Sequence, residues 1–325
     1  MSDSQPAIQT FELRKVYDGG KVAVEGLTLT VGRGEVFGYL GPNGAGKTTS
    51  IKMMLGLVGP TAGSASILGE PIGTTRSRKR VGFLPEHFRF HEWMRADEFL
   101  DLHGQLYGMS KADRKARIPG LIEQVGLAES AQKRLSTFSK GMLQRIGLAM
   151  SLLHRPALVF LDEPTSGLDP FGRLLVRDVI RAARAEGTTV FLNSHLLSEV
   201  EVTCDRVAFI RRGQVVRSGS IDELAGGVVR VKLKLGQITP NLLNDLSDWG
   251  ERIEQTDERE VSMMLSDEDR LPDMNAWLVG QGVRVYAIAQ QPLSLEELFV
   301  TIMKDDQAHG NGARPSEPIL EEQTL

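Results

Sequence analysis

Lys47 lies in the stretch GPNGAGKT, Gly41–Thr48, which fits the pattern G-x-x-x-x-G-K-[ST]. These residue types suit the binding of a phosphate chain. Gly41, Gly44 and Gly46 let a loop that also holds Pro42, Asn43 and Ala45 turn its backbone N–H groups toward phosphate oxygens. Lys47 adds a full positive charge at the β- and γ-phosphates, and the Thr48 hydroxyl is placed to coordinate Mg²⁺. Thr49 follows in the first turn of an expected helix, whose N-terminus adds partial positive charge.

Such a loop needs a second metal carboxylate. The run ALVFLDEP supplies it, since an apolar strand buried on both faces would end at Asp162. Asp162 is expected to hold the metal, directly or through water, and the adjacent Glu163 to polarise an attacking water. His195 in FLNSHL follows another expected strand, at the edge where doubly wound sheets bind ligands. From there it could contact the γ-phosphate and orient the water. A further stretch, FSKGMLQR at Phe138–Arg145, reads as a loop entering a helix, because the following IGLAMSLL repeats apolar residues at helical spacing. The first N–H groups of that helix lack partners and form an anion site, almost a hundred residues from the glycine loop.

The elements that must position these groups are legible as an alternating pattern. Residues 8–40 read as short strands, VFGYL as the strand feeding the glycine loop, and KTTSIKMMLGL as the helix after it. Helical character dominates from Asp97 to about Leu153. Then come strand ALVFL, helix 171–186, strand TTVFLN, helix 196–203, strand RVAFI and a hairpin at RRGQ. Strands alternating with helices predict an α/β fold with a parallel sheet covered on both faces. The character changes near Gly226–Gly227. Residues 228–289 read strand, helix, strand, strand, helix, strand, the ferredoxin-like order. SLEELFVTIM predicts a last helix opened by Ser294 and Glu297, and residues 304–325 read as a disordered tail.

Composition narrows the function. The 325 residues allow two or three domains. A net charge of −4 without a basic stripe argues against nucleic acid as partner. One cysteine, Cys204, excludes an internal disulfide. No signal peptide and no membrane-spanning run is expected.

Taken together, these motifs resemble an ABC transporter nucleotide-binding subunit over residues 8–225, most like the ATPase subunits of ABC-2 type exporters. The matching segments are Gly41–Thr48 (Walker A), Phe138–Met142 (signature), Leu158–Glu163 (Walker B), Ser166–Asp169 (D-loop) and His195 (switch histidine). The resemblance implies a P-loop NTPase cassette over 1–226, with an N-terminal antiparallel part and a helical subdomain at about 87–153. A small α+β ferredoxin-like domain over 227–303 would follow. It implies ATP and Mg²⁺ as cofactors, with Thr48, Asp162 and Glu86 at the metal, and Tyr17 stacking on adenine beside Val24. It further implies that Ser139, Lys140, Gly141 and Met142, with Asp169, meet ATP held by a second subunit, in a homodimer or heterodimer. Two departures stand out: Lys140 and Met142 replace Gly and Gln of the common signature, and Glu86 replaces the usual Gln in VGFLPEHF.

Phe83, Phe88, Phe90 and Trp93 crowd residues 83–93 of a chain with 12 Phe and 3 Trp. They could form an exposed apolar patch. By resemblance, segment 83–94 grips a separate membrane-spanning permease subunit, which places the protein peripherally on the cytoplasmic face of the cell membrane. The alternative is a soluble ABC-type ATPase acting on ribosomes or nucleic acid. Such proteins usually carry two cassettes or long coiled coils, and this chain has one glycine loop and no heptad run. The C-terminal domain reads either as a ligand-binding regulator or as a pairing module.

Overall fold

The computed structural model describes residues 5–226, 228–291 and 293–309. Strands β1 (Ile8–Val16), β2 (Val22–Val31) and β3 (Val36–Leu40) open the chain, and β3 runs through the glycine loop into helix α1 (Lys47–Met54). Next are β4 (Ala62–Ile67), β5 (Glu70–Pro71), α2 (Thr75–Lys79) and β6 (Val81–Leu84). The helical stretch holds α3 (Ala96–Leu106), α4 (Lys111–Gln124) and α5 (Lys140–Leu152). Then follow β7 (Leu158–Asp162), α6 (Pro170–Ala185), β8 (Thr189–Asn193), α7 (Leu197–Thr203), β9 (Arg206–Arg211), β10 (Gln214–Gly219) and α8 (Ile221–Ala225).

The central sheet has the order β10-β9-β3-β8-β7-β6 and is parallel except for β10. Every residue of β3, β7 and β8 is buried, which explains their unbroken apolar runs. Alternate residues serve opposite faces. Phe37, Tyr39, Phe160 and Phe191 pack toward α1 and the antiparallel sheet β2-β1-β4-β5. Val36, Leu40, Val159, Leu161, Val190 and Leu192 pack toward the helical side. Because β7 and β8 run parallel with Asp162 opposite Asn193, their carboxyl ends open side by side.

A second, separate core lies beyond α8. It is built by β11 (Val229–Leu235), α9 (Pro240–Leu246), β12 (Glu251–Asp257), β13 (Glu260–Leu265), α10 (Arg270–Gly280) and β14 (Val285–Gln291). All six expected elements are present, and the sheet order is β12-β13-β11-β14 with every pair antiparallel. Helix α11 (Leu295–His309) then returns to the cassette, where Leu295, Leu298 and Ile302 join its helical-side core. Ser294 and Glu297 form the expected reciprocal cap, with each backbone N–H donating to the other's side chain at 3.1 and 3.3 Å. The helix runs past Lys304, the expected start of the tail, and residues 310–325 lie outside the described residues. Among the described residues no helix is long and apolar enough to cross a membrane.

Candidate active site

The glycine loop leaves β3 at the sheet's carboxyl edge and leads into α1, and its shape depends on glycine at two positions. Gly46 caps α1 at φ 93°, and a Cβ there would come within 2.4 Å of the Ala23 carbonyl oxygen. A Cβ on Gly41 would meet the Ile210 carbonyl at 2.3 Å. Lys47 Nζ donates to the carbonyls of Gly41 at 2.6 Å and Pro42 at 3.2 Å, so its charge sits inside the loop.

A cleft of about 800 Å³ opens beside this loop. Tyr17, Asn43 to Thr49, Glu86, Glu163, Asn193 and His195 line it. That brings together the glycine loop, the β7 end, the β8 end and Glu86 beyond β6, which the sequence keeps apart. Asp162 lies just beneath, 2% exposed, with Asn193 Nδ2 donating to its Oδ1 at 2.5 Å. Glu163 takes φ 53°, a left-handed turn that a non-glycine residue adopts only when its surroundings impose it. Its N–H donates to the Asn193 carbonyl at 2.8 Å, and its own carbonyl accepts from Gln144 Nε2 at 3.0 Å. These bonds aim the side chain at His195, whose Nδ1 lies 2.6 Å from Glu163 Oε2.

Burial sets the electrostatics. It raises the Asp162 carboxyl above its ordinary range, against the Asn193 hydrogen bond that lowers it. It also raises Glu163, with His195 opposing and the Asp162 and Glu86 charges adding to the rise. Burial lowers Lys47, while Glu163, Asp162 and Glu86 favour its charged form. The cleft therefore holds a proton acceptor with enhanced basicity, Glu163, beside a lysine and two further carboxylates, Asp162 and Glu86.

Two residues were missed from sequence. Asn193 holds Asp162 and fixes the Glu163 backbone, and its Oδ1 is a buried acceptor without a protein partner. Gln144 ties α5 to the Glu163 turn. Both stand inside motifs already singled out, FLNSHL and FSKGMLQR, two residues from the ones named there.

The structure corrects Val24. Its side chain is fully buried and backs the glycine loop at Gly46, while Val22 and Ala23 line the cleft. The β1–β2 pairing slips between Lys15 and Val16, opposite Val22 to Val24. The expected aromatic patch also divides. Phe88 and Phe90 pack on each other with ring centroids 4.6 Å apart and on Phe99, and Phe83 packs against the opposite core. Trp93 alone of the four stays out, 71% exposed.

None of Ser139, Lys140, Gly141, Met142 and Asp169 lines this cleft. Ser139 caps α5, its Oγ accepting from the Met142 N–H at 3.3 Å, and Asp169 caps α6 through the Gly172 N–H at 2.7 Å. The two caps share a surface: a Cβ on Gly167 would meet the Lys140 stem at 2.8 Å, and one on Gly141 would meet Leu168 at 3.0 Å.

Fold and cleft together define a P-loop nucleotide-binding protein. Residues 24–166 match the family model described as ABC transporter. An uncharacterized ABC transporter ATP-binding protein of Synechocystis, sll0415, is 39% identical over 92% of this chain and 85% of its own length. The Nod factor export ATP-binding protein I of Ralstonia nicotianae is 33% identical over 92% of this chain and 94% of its own. A solved ATP-binding subunit of an ABC transporter superposes with a TM-score of 0.63 at 30% identity, covering 67% of this chain and 92% of that one. The chain belongs to the ABC transporter ATP-binding proteins: it is an ATP-binding, ATP-hydrolysing subunit.

Proposed function

We propose that this ATPase powers an exporter. It binds Mg·ATP in the cleft, closes head to tail on a second ATPase subunit, and passes that closure to a separate membrane-spanning permease. The observation that carries the reading is the Glu163–His195 contact in the cleft beside the glycine loop, which supports a base and its orienting partner acting where a bound terminal phosphate would lie. The Nod factor exporter likeness supports outward transport.

In the proposed reaction a water oxygen attacks the γ-phosphorus, and Glu163 takes the water's proton. The bond to the β–γ bridging oxygen breaks, releasing ADP and phosphate. Burial raises the Glu163 carboxyl, which favours this role. Lys47 and the loop N–H groups hold the phosphates, His195 orients the water, and Tyr17, half exposed at the cleft wall, stacks on the base. Mg²⁺ would neutralise phosphate charge. The Thr48 hydroxyl, Asp162 and Glu86 would hold it. The donor set suits a metal that arrives with nucleotide: the described residues include no cluster of three or more acidic, His or Cys ligands that would hold a cation alone.

Ser139, Lys140, Gly141 and Met142, with Asp169, would meet the other subunit's nucleotide; their absence from the chain's own cleft supports this. Residues 83–94, where exposed Trp93 lies close in sequence to cleft-lining Glu86, would link the permease to the site at the cytoplasmic face of the membrane. The cassette would end at residue 226, with its helical subdomain at about 87–153. The region after it would be a ferredoxin-like domain, a reading supported by the strand order β12-β13-β11-β14.

Glu163→Gln, weighed in solution with and without Mg·ATP, tests the reading. Binding should persist, hydrolysis should fall by about 10²- to 10⁴-fold, and mass should double with ATP. Hydrolysis at the wild-type rate would remove Glu163 from the reaction.

A further inference from the structure

The two edges of the C-terminal sheet are unlike. The β12 edge reads ERIEQTD and carries Glu251, Arg252, Glu254 and Asp257. Its pairing with β13 slips twice, and Arg252 sits at φ 51°. Charges and bulges of this kind block an edge against further strands. The β14 edge reads VYAIAQQ and has no charged residue. From Ala287 to Gln291 it pairs with β11 without a slip, and no described strand lies on its other side. Tyr286 is 58% exposed, and Ala287, Ala289, Gln290 and Gln291 are exposed beside it. A regular, uncharged edge presents a row of unpaired N–H and C=O groups that another strand can complete.

We propose that β14 is an interaction surface for β14 of a second copy of this chain, joined antiparallel into one eight-stranded sheet. The occupant follows from charge and symmetry. An antiparallel pair of identical strands has its own two-fold axis, the symmetry a closed pair of identical subunits requires. Centred on Ile288, full overlap sets Val285 against Gln291, Tyr286 against Gln290 and Ala287 against Ala289, with no charge facing a charge. The same operation on β12 would set Glu251 against Asp257 and Glu254 against its own copy. An even register also keeps the covered faces of both sheets on one side.

This contact makes no use of nucleotide, so it would hold two cassettes near each other between rounds of hydrolysis and raise the effective concentration for closure. It is separate from the catalytic reading above: loss of pairing with ATP binding intact would sink this inference alone.

The test is sedimentation of the full chain without nucleotide, beside two cysteine variants. A concentration-dependent dimer is expected, and Ala289→Lys should weaken it at least tenfold while leaving ATP affinity unchanged. Ala287→Cys chains mixed with Ala289→Cys chains should cross-link on mild oxidation, more than either variant alone and more than wild type with its single Cys204. A chain that stays monomeric and gives no mixed cross-link overturns the proposal. So does a dimer indifferent to Ala289→Lys, because another surface would then hold it.

Discussion

The cleft and the signature surface are built in opposite ways. The cleft is made of strand ends: Asp162 and Asn193 are buried, Glu163 is held in a left-handed turn, and two glycines sit where any side chain would strike backbone. The signature surface is made of helix caps, where Ser139 and Asp169 are exposed and satisfy ordinary first-turn N–H groups. The cleft carries electrostatic tension. Burial raises the folded-state pKa of Asp162 and Glu163, so their contribution to stability is present below the ordinary carboxylate range and lost as pH rises through the raised values. A site that holds such tension is organised for a ligand before the ligand arrives. The cap surface has no such buried carboxylate, and on the proposed reading it serves a nucleotide held by a second subunit.

That contrast breaks most sharply with a pair of variants. Lys47→Ala removes a full charge from the loop and should weaken ATP binding by about 10- to 100-fold, the scale of a lost hydrogen bond to a charged group. Ser139→Arg should leave ATP affinity of the isolated chain within about twofold, because Ser139 is outside the cleft, yet lower hydrolysis by about 100-fold. Nucleotide titration and phosphate release measure the two effects. If Ser139→Arg weakened binding as much as Lys47→Ala, both surfaces would serve one nucleotide in one chain, and the contrast would fail.

The same difference explains what could be read from sequence. GPNGAGKT and ALVFLDEP are local: the glycine spacing and the buried strand carry their own physical meaning, and the structure brings them to one cleft. The six C-terminal elements were legible for the same reason, from periodicity. Asn193 and Gln144 were not, since the Asn193 side chain acts on Asp162 and Gln144 on the Glu163 carbonyl, partners that only the sheet register and the seating of α5 bring near. Val24 misled because its burial behind Gly46 comes from how β2 packs on the glycine loop, which a list of residues does not show. The aromatics at 83–93 misled because composition cannot say which rings face inward, and Phe99, six residues beyond Trp93, takes two of them.

Asn193→Ala probes the hidden part of the cleft. Asp162 would lose its donor while the backbone bond to Glu163 remained. Unfolding stability should drop by about 1–3 kcal/mol in denaturant titration, as for a hydrogen bond to a buried charged group. The Asp162 pKa should rise further, since the Asn193 hydrogen bond is the largest of the influences that lower it, ahead of Lys47 and Lys52, and half-maximal activity should need more Mg²⁺. Unchanged stability and Mg²⁺ dependence would mean the Asn193–Asp162 bond is incidental.

The smallest expected effect belongs to Glu86→Gln, and it tests how the carboxylates share the cleft. The Glu86 charge raises both Asp162 and Glu163, as the weakest of the influences on Glu163. Hydrolysis should follow the ionised fraction of Glu163, falling about tenfold per pH unit below its pKa. With the neutral amide at position 86 that pKa drops, so the decline should begin at lower pH, with less than about a threefold change in rate near neutrality. The opposite outcome is equally informative. If hydrolysis collapses at every pH and recovers with added Mg²⁺, the Glu86 charge belongs to the metal, and its influence on Glu163 is secondary. A pH–rate profile at two Mg²⁺ concentrations separates the cases, because a shifted acid limb moves along the pH axis and a lost metal ligand lowers the whole curve.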